Sequence, residues 1–110
     1  MKPTYAMKRS VALVALVIVL IRSAAASEVV RITIHDLAFS PAEVSAKVGD
    51  TIEWVNSDFV DHTATAKDGA WDVAVAAGKS AQFKLERPGA VTYYCKIHPN
   101  MTGTIHVDGK

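Results

Sequence analysis

Short segments in which apolar and polar residues alternate make up most of the chain after residue 28. In Thr51–Asn56, for example, Ile52 and Trp54 share one face of an extended chain. Alternation with a period of two is typical of a half-buried β-strand. Turn residues separate these segments at intervals of about 8–12 residues, which predicts an all-β sandwich or barrel. The predicted strands are Val29–His35, Glu43–Val48, Thr51–Asn56, His62–Lys67, Ser80–Leu85, Val91–Cys95 and Gly103–Val107, with irregular structure between residues 68 and 79.

The only cysteine of the chain lies near the C-terminus, within Tyr93–Met101. His98 follows Cys95 by three residues, and Met101 follows His98 by three more. Thiolate and thioether ligands select copper, zinc or iron–sulfur centres over magnesium or calcium. Two histidines and a cysteine with a weak axial methionine make a blue-copper electron-transfer site. This loop therefore supplies three of the four ligands of such a site.

A histidine from another part of the chain must complete that set. His35 and His106 alternate with apolar residues in predicted strands, so we expect ordinary surface histidines at both positions. His62 instead follows the strand Thr51–Asn56 at the end of a connecting loop, where a sheet can offer a ligand to a neighbouring loop. His62 is therefore the candidate for the fourth ligand.

The N-terminal segment has the pattern of a secretory signal peptide. A basic stretch, Met1–Ser10, precedes the apolar run Val11–Ile21, and after Arg22 the residues up to Ala26 are small. The apolar run has eleven residues, whereas a bilayer-spanning helix needs about 20. We expect cleavage after Ala26, which makes residues 1–26 a leader and leaves Ser27–Lys110 as one domain. An uncleaved N-terminal anchor is the alternative.

The predicted leader changes the charge of what remains. It carries four of the twelve basic residues and none of the eleven acidic ones, so Ser27–Lys110 has a formal charge of −3. No basic patch is left to suggest a nucleic-acid partner. Export places the protein in an oxidising compartment, where cysteines normally pair. Because a single cysteine has no internal partner, metal binding is one of the few explanations for Cys95.

Four stretches of the sequence resemble the cupredoxins, the type 1 blue copper proteins. The loop length is closest to amicyanin, and the similarity to plastocyanin and pseudoazurin is more distant. The resemblance covers nearly all of the chain after Ala26. The matching stretches are Phe39-Ser40-Pro41, Val48–Asn56, Asp61-His62-Thr63 and Tyr93–Gly103.

The resemblance implies a Greek-key β-sandwich and a periplasmic carrier of single electrons, not an enzyme. One type 1 copper ion would be held by His62, Cys95, His98 and Met101. Asn56 matches the asparagine that ties the two ligand-bearing segments together. Partners would be redox proteins such as a c-type cytochrome or a periplasmic dehydrogenase. We expect a monomer with no stable membrane insertion.

The ligand loop departs from amicyanin at two positions, where Ile97 replaces a proline and Asn100 a phenylalanine. Unlike proline, Ile97 has a backbone N–H, which we expect to donate to the Cys95 sulfur. The acidic residues Asp58 and Asp61 lie close to the candidate ligand in the preceding loop and are expected to form a solvated rim.

Other functions explain fewer of these residues. A periplasmic copper chaperone or storage protein, the main alternative, usually needs several methionines, and Met101 is the only one after residue 26. Structural zinc sites use cysteine and histidine rather than thioether. A cysteine hydrolase with Cys95 as nucleophile and His98 as base leaves Met101 unused. A copper oxidase or nitrite reductase needs a second metal centre, for which His35 and His106 are too few.

Overall fold

A computed structural model describes residues 2–4, 6, 10–21 and 26–109 and contains nine strands in those ranges. It has no helix there, and so none that could span a membrane. The basic residues and alanines next to the predicted cleavage point lie largely outside the described residues, so the boundary at Ala26 stays a prediction. The strands are β1 Val29–His35, β2 Ala38–Ser40, β3 Glu43–Lys47, β4 Thr51–Asn56, β5 His62–Ala66, β6 Asp72–Val75, β7 Ser80–Lys84, β8 Gly89–Tyr94 and β9 Thr102–Asp108.

The strands form two sheets, which confirms the predicted all-β sandwich. One sheet has the order β2-β1-β4-β7 and the other β3-β9-β8-β5-β6. The pairs β1–β4 and β3–β9 are parallel, and the other pairs are antiparallel. A hairpin cannot join parallel neighbours. Other strands therefore separate the members of each parallel pair along the chain. Because β3 lies in one sheet and β4 in the other, and β7 lies between β6 and β8 of the opposite sheet, the chain crosses repeatedly between the sheets, as the Greek-key prediction requires.

The apolar faces of the two sheets meet in one core. Ile32 and Ile34 of β1, Ile52 and Trp54 of β4, and Ile105 of β9 are all fully buried. Each such side chain contributes about 1.5–3 kcal/mol relative to exposure. The alternation in the sequence thus predicted the inward faces of these strands correctly.

Two strands were not predicted from the sequence. Strand β6 lies in the stretch expected to be irregular, because an alternation of only four residues gives a weak signal. Strand β2 has three residues and follows a tight turn in which Asp36 and Leu37 have φ angles of 48° and 58°. Glycine or asparagine usually marks such a turn, and neither is present here.

One end of the five-stranded sheet collects the candidate ligands. Strands β8 and β9 pair up to Tyr94 and Thr102, and the seven residues between those two positions form the connecting loop. Strand β5 pairs with β8 through Thr65 and Tyr94, and its first residue is His62. The fold therefore places His62 beside the loop that carries the other three candidates.

Candidate metal centre

The loop between β8 and β9 is closed by its own backbone. The Cys95 N–H donates to the carbonyl of Met101 at 3.1 Å, and the Met101 N–H donates to the carbonyl of His98 at 2.9 Å. Cys95 and Met101 therefore sit opposite each other at the base of the loop. Both are buried, whereas His98 at the tip is partly exposed.

Three nitrogen and sulfur donors converge at this end of the sandwich. Cys95 Sγ lies 3.7 Å from His62 Nδ1 and 3.9 Å from His98 Nδ1. One donor atom from each of the three residues lies within 4.8 Å of the others. Metal bonds of about 2.0 Å to nitrogen and about 2.3 Å to sulfur, about 120° apart, give S···N separations of about 3.8 Å. The spacing therefore fits one small metal ion shared by the three side chains.

Asp58 fixes the orientation of the buried His62 ring. Its Oδ2 lies 2.8 Å from His62 Nε2, which leaves Nδ1 of the ring free to face Cys95 Sγ. The Asp58 carboxylate also accepts the N–H groups of Asp36 at 2.8 Å and Leu37 at 3.1 Å. Burial would raise the pKa of Asp58, but the hydrogen bonds from Leu37, His62 and Asp36 hold it below its ordinary value.

The prediction of a solvated acidic rim is therefore wrong for Asp58, whose side chain is only 11% exposed. Asp61 is exposed, and its Oδ1 accepts the N–H of Ala77 at 2.9 Å. Local sequence does not distinguish the two residues, because the backbone N–H groups that bind the Asp58 carboxylate come from the β1–β2 turn, more than 20 residues away in the chain.

Asn56 is buried and organises the loop that leads to His62. Its Nδ2 donates to the carbonyls of Val60 and Val75 at 2.9 and 3.0 Å, and its Oδ1 accepts the N–H of Asp58 at 2.9 Å. These bonds fasten the loop to β6 and not to the loop that carries Cys95. The predicted role of Asn56 as the tie between the two ligand-bearing segments is thus corrected.

Thr63 makes that tie instead. Its N–H donates to Cys95 Sγ at 3.3 Å, and its Oγ1 accepts the N–H of Lys96 at 2.9 Å. The N–H group found on the sulfur therefore belongs to Thr63, and the hydrogen bonds of Cys95 Sγ within the described chain include none from Ile97. A threonine is common in strands, so only its position after His62 could have pointed to it.

The environment of Cys95 favours its thiolate. Burial would raise the pKa of the thiol, but the Thr63 N–H and the neighbouring His62 and His98 lower it to about 6. A thiolate, not a thiol, is the metal ligand. The protein thus presents Cys95 in a state that is ready to bind a metal.

The remaining histidines face outward, as predicted. His106 is half exposed and lies 3.8 Å from Glu43. His35 is also exposed, and its ring lies 3.3 Å from Asp36 and 3.9 Å from Asp58. His35 and Asp36 next to the β1–β2 turn and Asp58 of the loop after β4 could together reach a cation, but Asp58 already accepts three hydrogen bonds.

Comparison with known proteins identifies the family. The sequence profile of the cupredoxin-like domain matches residues 9–107. Plastocyanin of Nostoc punctiforme is 34% identical over 92 residues, covering 66% of each chain. Amicyanin of Paracoccus versutus is 25% identical over 88 residues, covering 74% of this chain and 67% of the relative. This chain thus spans about two thirds of the length of these curated relatives.

The architecture agrees with the sequence comparison. The Cu(I) form of a mutant amicyanin superposes with a TM-score of 0.68 at 22% identity, covering 76% of this chain and 85% of that one. At this identity the likeness shows the fold. Because the family profile matches most of the chain, the protein described here belongs to the cupredoxin-like family.

Proposed function

We propose that this protein is a blue copper electron carrier that exchanges single electrons between redox partners. The observation that carries the proposal is the convergence of Cys95 Sγ with Nδ1 of His62 and of His98 at 3.7 and 3.9 Å. Thiolate and imidazole together suit copper, and the relatives include plastocyanin and amicyanin. When bound, copper would supply a one-electron couple between Cu(I) and Cu(II).

In this proposal His62, Cys95 and His98 would be the strong ligands of the copper ion, and Met101 would be the weak one. Met101 is buried at the base of the same loop, opposite Cys95. The hydrogen bond that His62 makes to the Asp58 carboxylate holds the ring in place, and the hydrogen bond from the Thr63 N–H holds the Cys95 sulfur. Because the protein fixes its donors in this way, little rearrangement should accompany a change of oxidation state.

His98 is the proposed point of electron exchange. Its side chain is partly exposed, and the neighbouring Ile97 is 55% exposed and apolar. His62, in contrast, is fully covered. A small apolar contact around His98 suits brief encounters with a c-type cytochrome or a periplasmic dehydrogenase, since redox complexes have small interfaces. The carrier is proposed to act as a monomer.

The protein is proposed to reach the periplasm by means of a leader, residues 1–26. The domain that follows the leader comprises residues 27–110. The support is the basic, apolar and small-residue order of the leader. N-terminal sequencing of the exported protein tests it. A first residue of Ser27 is expected, whereas an intact leader would favour the N-terminal anchor.

Redox cycling separates an electron carrier from a copper chaperone or storage protein. The copper-loaded protein should accept one electron per copper and pass it to an oxidised c-type cytochrome. It should also keep its copper through repeated cycles of reduction and oxidation in the presence of a Cu(I) chelator. A chaperone would release copper to the chelator after the first reduction. Loss of copper together with no electron transfer to the cytochrome would reject the carrier function.

A further inference from the structure

A chain of hydroxyl groups continues outward from the Cys95 hydrogen bond. Lys96 N–H donates to Thr63 Oγ1 at 2.9 Å, and Thr63 Oγ1 lies 2.9 Å from Thr65 Oγ1. The Thr65 hydroxyl donates to Asp72 Oδ1 at 2.8 Å, so the hydrogen between the two threonines must come from Thr63. All donors thus point the same way and end at a carboxylate, an arrangement in which each bond strengthens the next. We call Lys96 N–H, Thr63, Thr65 and Asp72 the hydroxyl chain.

The two threonines of the hydroxyl chain lie on the outward face of β5. Thr63 and Thr65 alternate with inward residues, yet Thr65 is only 8% exposed. The Lys96 ammonium reaches the second Asp72 oxygen at 2.5 Å. An ion pair between two half-exposed side chains adds little stability by itself. It does bind the carboxylate at which the hydroxyl chain ends, because Asp72 accepts from Thr65 through Oδ1 and from Lys96 through Oδ2.

The hydroxyl chain also begins where backbone pairing stops. Strands β5 and β8 are paired at Thr65–Tyr94 and Ala66–Tyr93. Two residues further along, the Thr63 N–H donates to Cys95 Sγ, and the Lys96 N–H donates to a side chain. Beyond the paired residues, the Cys95 sulfur and the Thr63 hydroxyl therefore accept the two backbone N–H groups that link β5 to the ligand loop.

We propose that the hydroxyl chain positions the Thr63 N–H on Cys95 Sγ and thereby sets the reduction potential of the metal site. The inference rests on the copper function proposed above. Hydrogen bonding around the cysteine sulfur tunes the potential of blue-copper sites. A donor on the sulfur stabilises the extra electron density of the reduced state, so a longer hydrogen bond lowers the potential. Thr65 and Asp72 act through Thr63 and touch neither the sulfur nor the metal.

The decisive variant is Thr65→Val, which keeps the shape and removes the hydroxyl. The equilibrium constant for reduction of the copper should fall by about three- to tenfold, where tenfold corresponds to 59 mV for one electron. The rescue variant Thr65→Ser restores the hydroxyl and should restore the potential. If Thr65→Val does not fold, Thr65→Ala provides the same deletion without a branched side chain.

Charge effects are separated by a matched pair of variants. Asp72→Asn keeps an acceptor for Thr65 but removes a negative charge near the site. Glu53→Gln removes the same charge from a comparable cluster on the other sheet, where Glu53 binds Arg31 and Gln82 at 2.8 and 2.7 Å. Loss of negative charge favours reduced copper, so through-space electrostatics alone would raise the potential in Asp72→Asn and leave Thr65→Val unchanged. That pattern would overturn the proposal.

A second readout does not require copper. The amide proton resonance of Thr63 in the copper-free protein should move to lower frequency and exchange faster with solvent in Thr65→Val, and return in Thr65→Ser. An unchanged Thr63 amide would reject the positioning role even if the wild-type protein is blue. A wild-type protein without a copper colour would instead reject the proposed function, while the amide measurement would still decide whether the hydroxyl chain positions Thr63.

Discussion

The two candidate histidine ligands present the same ring nitrogen to the same sulfur from opposite environments. His62 is fully buried, and Asp58 holds its Nε2 at 2.8 Å. His98 lies at the tip of a loop, is partly exposed, and has the exposed Ile97 beside it. The Nδ1 atoms of the two rings nonetheless lie at similar distances from Cys95 Sγ, 3.7 and 3.9 Å.

This contrast shows how a small domain can divide two tasks between chemically identical ligands. His62 is held by Asp58, which itself joins the β1–β2 turn to the loop after β4. His98 is held by a short loop closed through Met101. We infer that His62 anchors the site to the sandwich and that His98 connects it to a partner.

The largest expected effect comes from removing each imidazole in turn. His62→Gly and His98→Gly should both abolish the blue colour of the copper-loaded protein. Added free imidazole should restore the colour in His98→Gly, because the vacated position opens to solvent. It should not restore the colour in His62→Gly, where the site is covered and Asp58 loses its partner. Absorption spectroscopy measures the return of the colour. Equal rescue of both variants would remove the distinction between a histidine that anchors the site and one that contacts a partner.

Asn56→Ala tests the anchor through stability. The substitution deletes three hydrogen bonds to the backbone of the loop and of β6, and it leaves a buried carbonyl without its donor. We expect the free energy of unfolding to fall by about 2–3 kcal/mol. Asn100→Ala, at an exposed position in the other ligand-bearing loop, should change it by less than about 0.5 kcal/mol. Denaturant titration of both metal-free proteins gives the comparison, and similar losses would contradict it.

Asp58→Asn tests the orientation of the His62 ring. The amide can still accept a backbone N–H, but it loses the charge that fixes the ring. Copper affinity should fall about 10–100-fold, the usual cost of losing such a supporting residue. The control Asp61→Asn keeps its acceptor for the Ala77 N–H and should bind copper as the wild type does. Competition with a copper chelator measures both, and equal affinities would mean that Asp58 does not orient the ligand.

The smallest expected effect concerns the contact side. Ile97→Ser should slow electron exchange with a c-type cytochrome by about three- to tenfold. A tenfold change corresponds to about 1.4 kcal/mol in the binding free energy of the transient complex. The reduction potential should stay the same. Val29→Ser removes an equally exposed apolar side chain from β1 and serves as the control. Stopped-flow kinetics that show equal rates for the two variants would place the contact elsewhere.

Local pattern in the sequence was enough to predict part of this structure. Alternation indicated the inward faces of β1, β4 and β9, and the spacing of Cys95, His98 and Met101 indicated the ligand loop. These features are properties of neighbouring residues. When three candidate ligands lie at a fixed spacing on one short loop, their side chains have few alternative positions relative to one another.

The parts that the sequence did not predict depend on contacts between distant segments. Asp58 is bound by a turn more than 20 residues before it, and Thr63 meets Cys95 across 32 residues. The predicted tie through Asn56 is wrong for the same reason, since its partner Val75 lies on β6, a strand too short to be predicted. Side-chain partners of this kind follow from topology and not from local spacing.

The visible absorption spectrum of the oxidised, copper-loaded protein is the most direct test of the account. A strong band near the red end of the spectrum is expected, and Cys95→Ser should lose it while the fold is retained. That result would establish the bond between the thiolate and copper. A wild-type protein that takes up copper without colour would point to a copper chaperone, and one that takes up none would contradict the copper site altogether.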